Sequence, residues 1–231
     1  MKKSIFITLI AIAAATSASA QFYPDGRPIH PKNRAAYYDS HPRHHQPVTD
    51  TYGGVRGGVS LSTVNSDSPY LDGNRTKAGV NVGLAVGTSL SSYSPVYLES
   101  GLYFVQKGGE SKHGGEKFTY GLDYLEIPLV FKYKAPVGGD VTIEPFLGGF
   151  VSCGVSGEIK DFQHRQAYSS FSDDYNDNFR RFDGGLRIGC GLSVDMFYIE
   201  AGYDLGLANV GKDYFDDTHT GALNLSIGIN F

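Results

Sequence analysis

The chain has 231 residues, with 20 Lys and Arg against 24 Asp and Glu and a formal net charge of −4. That balance, with no clustered basic stretch, excludes a nucleic-acid-binding surface. Length suits one domain. Beyond the amino terminus no apolar run is long enough for a membrane-spanning helix, so any insertion into a bilayer must use strands.

Lys2 and Lys3 precede an apolar run from Ile5 to Ala15, and small residues lead to Ala18-Ser19-Ala20 before Gln21. This pattern predicts a secretory signal peptide over 1–20, cleaved after Ala20. Its apolar core is shorter than the roughly 20 residues of a spanning helix, and no Cys stands near the cleavage site to carry a lipid anchor. Residues 21–50 differ from everything after them. Five of the ten prolines fall there, with His30, His41, His44 and His45. No hydrophobic period survives two residues, which predicts a flexible, partly extended tail on the periplasmic side. His41, His44 and His45 are weak candidates for a transition metal, since nothing nearby would hold imidazoles in a fixed geometry. No cofactor is expected.

From Thr51 onward the chain is a succession of period-two segments. Val55, Gly57, Val59 and Leu61 share one face of the first, with Arg56, Gly58 and Ser60 on the other. The second, residues 77–90, sets Ala78, Val80, Val82 and Leu84 against Lys77, Asn81 and three glycines. The third, 96–107, sets Val96, Leu98, Leu102 and Phe104 against Tyr97, Glu99 and Tyr103. The fourth, YLEIPLVFKYK over 124–134, sets Leu125, Ile127, Leu129, Phe131 and Tyr133 against Glu126 and Lys132. A fifth runs near 141–155 with Glu144 on its polar face, a sixth over 182–194 with Asp183 and Arg187, and a seventh over 197–208 with Glu200 and Asp204. An eighth occupies 220–231.

Eight antiparallel strands are joined by connections that alternate long and short: about 64–75, 91–95, 107–117, 135–139, 157–181, a tight turn at Asp195-Met196, and 209–219. Long loops at one end and short turns at the other are the pattern of outer-membrane barrels, and strands of about 10–14 residues are long enough to cross at a tilt. The fold expected is therefore all-β: an eight-stranded antiparallel up-and-down transmembrane β-barrel over 51–231. Its greasy faces point outward. Its polar faces bring Arg56, Lys77, Glu99, Glu126, Lys132, Glu144, Asp183, Arg187, Glu200 and Asp204 together in the lumen, where both signs neutralise one another. Facing lipid near the midplane, each charge would cost about 2–4 kcal/mol.

Pro128 and Pro145 lie inside strands, where each removes a ladder donor. Folding the fourth and fifth strands about Val137 sets Pro128 opposite Phe146 and Pro145 opposite Leu129, which predicts a bulge or a water-filled gap there. Cys153 and Cys190 fall on the lipid face of neighbouring strands, either as two small apolar residues or as a disulfide.

YLEIPLVFKYK, with YLESGLYFVQKGG before it and IEAGYDLGLANV after, resembles the PorT-like outer-membrane β-barrel family of Bacteroidetes over roughly 51–231. The resemblance implies location in the Gram-negative outer membrane, contact with its lipid, and recognition of the terminal aromatic Phe231 by the barrel-assembly machinery. It implies no single activity. Where many members carry Arg before the Tyr of the seventh strand, this chain has Gly202-Tyr203.

Three tasks remain open. A pore through so filled a lumen passes water or small ions at most. An outer-membrane lipid- or peptide-processing enzyme would draw on Asp216, Asp217 and His219 in the last loop or on His164, Asp173 and Asp174 in the third, but no nucleophile is named by spacing and no catalytic residue is assigned. Binding of a protein or surface ligand through the longest loop would use Phe162, Arg165, Tyr168, Phe171, Tyr175 and Phe179, because aromatic and Arg enrichment marks interfaces. The same residues also suit a cap packed on the barrel rim. The sequence favours a structural, binding or envelope-assembly role, with a soluble lipocalin-like barrel behind both membrane alternatives.

Overall fold

A computed structural model describes residues 50–66, 75–91, 94–113, 116–138, 140–160, 166–171, 177–213, 215 and 217–231. The leader, the tail with His41, His44 and His45, and loop residues Phe162, His164, Arg165, Asp173, Asp174, Tyr175 and Asp216 lie outside them.

Among the described residues thirteen strands run in chain order: β1 (Thr51–Ser66), β2 (Arg75–Ser91), β3 (Ser94–His113), β4 (Glu116–Tyr133), β5 (Ala135–Gly138), β6 (Val141–Ser156), β7 (Glu158–Lys160), β8 (Tyr168–Ser169), β9 (Asp177–Phe179), β10 (Phe182–Val194), β11 (Phe197–Gly206), β12 (Gly211–Asp213) and β13 (Thr218–Asn230). Eight of them close a ring. β1 pairs β2 and β13, β3 pairs β2 and β4, β6 pairs β4 and β10, and β11 pairs β10 and β13, each antiparallel. Closure leaves the hydrocarbon with no unpaired strand edge, which would cost several kcal/mol per orphaned group. β5 continues the β4 side of the turn onto β6, while β7 and β8 extend the sheet past β4. β9 and β12 form a separate two-stranded ribbon.

The alternation decides which face is outside. Leu125, Ile127, Leu129, Phe131 and Tyr133 are 36–56% exposed, whereas Glu126 and Lys132 between them are 0% and 1% exposed. The same inversion holds on β1, β2, β10, β11 and β13. Inward glycines make room for large neighbours. A Cβ at Gly87 would enter the ring of Tyr52, and one at Gly191 would meet the hydroxyl of Tyr198.

Two sequence-based expectations give way here. The connection expected over 107–117 is paired almost to its tip, since β3 and β4 stay in register to His113 opposite Glu116. The turn between β4 and β6 lies further on than Val137, because Ala135–Gly138 remain on the ladder. Pro128 therefore faces Phe150 and Leu129 faces Gly149, a register offset of four that separates the two prolines. Each sits at its own gap, without a shift of register. The β3–β4 pairs skip from Ser100–Leu129 to Tyr103–Glu126 around Pro128, and the pairs of β6 with β4 and β5 skip from Phe146 to Ile143 around Pro145, while Pro145 still pairs Cys190 on β10. The bulge lies elsewhere, where Asp123 and Tyr124 face Ser156 and Gly154. Beside Pro128, Ser100 Oγ donates to its carbonyl at 2.8 Å.

The cysteines take the first of their two readings, two small outward residues. Cys153 faces Phe182, and Cys190 stands eight residues further along β10, about 26 Å away at 3.3 Å per residue. No disulfide spans that distance; both thiols are free and face outward.

Candidate functional site

The lumen holds two tiers of buried charge. Nearer the short turns, Arg56 grips Glu99 with two parallel bonds of 2.8 and 2.7 Å and reaches Glu200 at 3.2 Å. Lys132 lies 2.9 Å from Glu99 and 3.7 Å from Glu144 and donates to the Tyr198 hydroxyl at 2.6 Å. That hydroxyl donates to Glu200 at 3.0 Å, and Tyr52 donates to Glu99. The Arg56 guanidinium also rests 4.1 Å above the Tyr198 ring, a contact that its flat, weakly hydrated form favours.

Nearer the long connections, Lys107 lies 3.1 Å from Glu126 and 3.2 Å from Asp183. Arg187 joins Glu126 at 2.9 Å to Asp204 at 3.4 Å. Thr220 donates to Asp183 at 2.7 Å, and Asn224 to Asp204 at 2.6 Å. An amide and hydroxyl chain of Asn81, Asn224 and Ser226 links the walls between. Each tier thus sets three carboxylates against two cations. Every charge is nine-tenths buried or more, where a paired ion is tolerated and an unpaired one is not.

Both ends of the lumen are covered. At the short-turn end the Lys134 ammonium sits 4.0 Å over the Tyr52 ring and 4.1 Å over the Tyr97 ring, and Tyr97 donates to Asp50 at 2.8 Å. At the other end an apolar core joins Val64, Phe118, Tyr120, Leu122 and Tyr124 from the barrel wall to Ile159, Phe171, Phe179, Val210 and Phe215 from the connections. Phe179 lies 5.2 Å from Phe215 and 5.4 Å from Tyr120, ring centre to ring centre. Such aromatic pairs add about 0.5–1.5 kcal/mol beyond their buried area.

Nine of the ten residues assigned to the lumen from sequence meet there. Lys77 does not. The β2–β3 register shifts between Thr76 and Asn81, and the Lys77 ammonium donates to the carbonyl of Tyr120 at 3.2 Å and lines an outer cleft with Gln106 and Asp123. Its place in the tiers is taken by Lys107, a residue expected at the start of a loop. The signal is present in the sequence, since Glu99, Tyr103, Val105 and Lys107 share one parity; carrying the alternation past the assumed strand end finds it. Of the loop aromatics, Phe171 and Phe179 are buried in the cap and Tyr168 packs against it, so these three fill the rim. His219 stands 3.6 Å from Asp217 on the outer rim, with its other ring nitrogen 3.1 Å from the carbonyl of Ala208.

The sequence matches the family described as "Outer membrane protein beta-barrel domain" over residues 52–211. No curated protein matches it. Among solved structures, Ail, the attachment invasion locus protein of Yersinia pestis, is 17% identical over 79% of this chain and 99% of its own, with a TM-score of 0.43. Neisserial surface protein A is 13% identical over 78% of this chain and 97% of its own, with a TM-score of 0.47. A major outer membrane protein of Thermus thermophilus is 14% identical over 79% of this chain and 99% of its own, with a TM-score of 0.49.

Proposed function

The chain belongs to the outer membrane protein beta-barrel domain family, and from that membership we propose that it is a closed, non-conducting outer-membrane barrel whose working surface is its extracellular end. The observation that carries this reading is the filled axis: two tiers of buried ion pairs with an aromatic cap above them. An eight-stranded barrel has room inside for little beyond its own side chains, and an ion entering these tiers would have to displace charge-assisted bonds of 2.7–3.2 Å. Short turns face the periplasm and long connections face outward in such barrels, so the cap is the surface presented to the exterior.

The finer parts of the proposal come from sequence. In this proposal residues 1–20 direct export and residues 21–50 belong to the periplasmic side, and the PorT-like resemblance favours a source among Gram-negative Bacteroidetes. The lipid of the outer membrane and the barrel-assembly machinery are its partners in biogenesis, and a protein or surface ligand is its partner at the extracellular connections. The competing reading, a rim enzyme, has the Asp217–His219 pair in its favour, but an exposed pair at 3.6 Å activates nothing without a nucleophile in reach.

Reconstitution into planar bilayers in molar salt tests the first claim. The expected trace shows no discrete openings; stable single-channel steps would refute the closed lumen. Deleting 162–178 while keeping heat-modifiable gel migration tests the second, with loss of adhesion or of complex formation as the expected result. His219→Ala tests the enzyme reading, which gains support only if processing of a lipid or peptide substrate by the intact protein is abolished.

A further inference from the structure

One concavity outside the lumen has polar walls. It lies on the outward surface where β2, β3, β4 and β7 meet, and it encloses about 450 Å³, within the range of small-ligand clefts. Its floor is glycine: Gly109, Gly121 and Gly157. A Cβ added at Gly121 would stand 3.0 Å from the Lys77 ammonium and begin to fill the space.

Three observations say what belongs there. The first is height. On β4 the outward residues run Tyr133, Phe131, Leu129, Ile127, Leu125 and then Asp123, so the cleft begins where the apolar stripe ends. The ten residue steps from Tyr133 to Asp123 span about 33 Å along the strand, or roughly 25 Å of membrane thickness at a 40° tilt, the height of the apolar band of such barrels. The cleft therefore sits at the level of the headgroups on the side of the long connections.

The second is charge. Asp123, Glu110 and Glu158 face Lys77 and Lys160 across the cleft, and Lys160 is already joined to Glu158 at 3.0 Å. Three carboxylates against two ammonium groups repel a bare phosphate, and two ammonium groups disfavour a bare cation.

The third is the mixture of hydrogen-bonding types. Gln106, the cross-strand partner of Asp123, accepts from the Val80 amide at 3.3 Å and donates to the Asp123 carboxylate, which keeps further lone pairs; Thr76 and Thr119 offer hydroxyls, and the Lys77 ammonium, with three donors, gives one to the carbonyl of Tyr120. Donors and acceptors side by side fit a ligand whose every hydroxyl both gives and takes a hydrogen bond.

We propose that this cleft binds the saccharide headgroup of an outer-leaflet glycolipid, with the acyl chains running down the outer face of β4 past Leu125, Ile127 and Leu129. Sugar hydroxyls donate to Asp123, whose carboxylate Gln106 holds in place, and accept from Lys77, while the acyl chains cover a stripe that is apolar and exposed. The inference goes beyond a role at the cap and uses neither the lumen nor the loop aromatics.

Native mass spectrometry on protein extracted intact from its outer membrane in mild detergent provides the test. The wild type is expected to retain one glycolipid. Gly121→Val, which fills the floor, and Asp123→Ala, which removes the central acceptor while leaving the backbone untouched, are each expected to lower the retained fraction at least tenfold. Leu186→Ala, on the outer face of β10, is expected to retain glycolipid as the wild type does. The deacylated headgroup saccharide should displace the lipid, and a glycerophospholipid at the same concentration should not. Heat-modifiable migration verifies that each variant is folded, and Asp123→Ala serves if Gly121→Val is not. Equal retention by wild type and Asp123→Ala, displacement by glycerophospholipid as readily as by saccharide, or no glycolipid on the wild type would each overturn the proposal, and none of these bears on whether the lumen conducts.

Discussion

Removing the Arg56 guanidinium probes whether the axis of the barrel is dry. Arg56 is 2% exposed, makes two bonds to Glu99 and one to Glu200, and lies over the Tyr198 ring. In Arg56→Met the apolar stem is kept, but the tier holds three carboxylates against Lys132 alone, so its excess negative charge rises from one to two. Breaking a buried pair by deleting one partner costs about 3–5 kcal/mol. With urea slopes of about 1–3 kcal/mol per molar, the unfolding midpoint falls by roughly 1–5 M. The double substitution Arg56→Met/Glu99→Leu restores the excess to one, leaving Glu144 and Glu200 against Lys132. Most of the loss should return, since an apolar replacement of a buried pair is often neutral or stabilising. Reversible urea unfolding in phospholipid vesicles, read as the fraction with folded gel mobility, measures both. A loss below about 1 kcal/mol for Arg56→Met would place the pair in the range of solvated ion pairs and refute a water-excluding tier, and with it the closed lumen.

Lys107→Met removes the partner of Glu126 and Asp183 and should cost a comparable 3–5 kcal/mol or about that, whereas Lys77→Met, at a half-buried outer position, should cost under about 1 kcal/mol; the same unfolding assay separates them. Leu129→Arg places a charge midway along the outward stripe of β4, where it should lower stability by about 2–4 kcal/mol, seen as a reduced folded fraction in vesicles. Phe179→Ala empties the centre of the cap beside Tyr120 and Phe215 and should cost the cap about 3–5 kcal/mol. Because β9 pairs β12 outside the closed ring, limited proteolysis within 157–181 should accelerate while the barrel midpoint moves little.

How far each feature can be read in the amino-acid order follows from how local its cause is. Side-chain direction along a strand repeats every two residues, so the outward set around Ile127 and the inward set around Glu126 are legible from eleven residues. Strand ends are less so, because glycine and charge in 107–117 look like a loop until the neighbouring strand pairs with them. That error hides Lys107, the cation on which Glu126 and Asp183 both depend. Lys77 shows the converse. Its parity points inward, and only a register shift against β3 turns its ammonium to the outer cleft.

The loop aromatics show why composition underdetermines a surface. Phe171 and Phe179 suit a partner or a core equally well until something else arrives to cover them, and what covers them is Phe118 and Tyr120 from a hairpin longer than the alternation predicts.

The order of amino acids alone determined the number of spanning strands, the face each turns to lipid and the sign of nearly every charge sent inward, because those depend on residues two apart in the chain. Only the tertiary structure decided which carboxylate meets which cation, where Pro128 and Cys153 find their neighbours, what closes the rim and where a polar cleft opens on the outside. Those depend on register between strands that are tens of residues apart, and a shift of a few residues along a ladder leaves the alternation intact while replacing every partner.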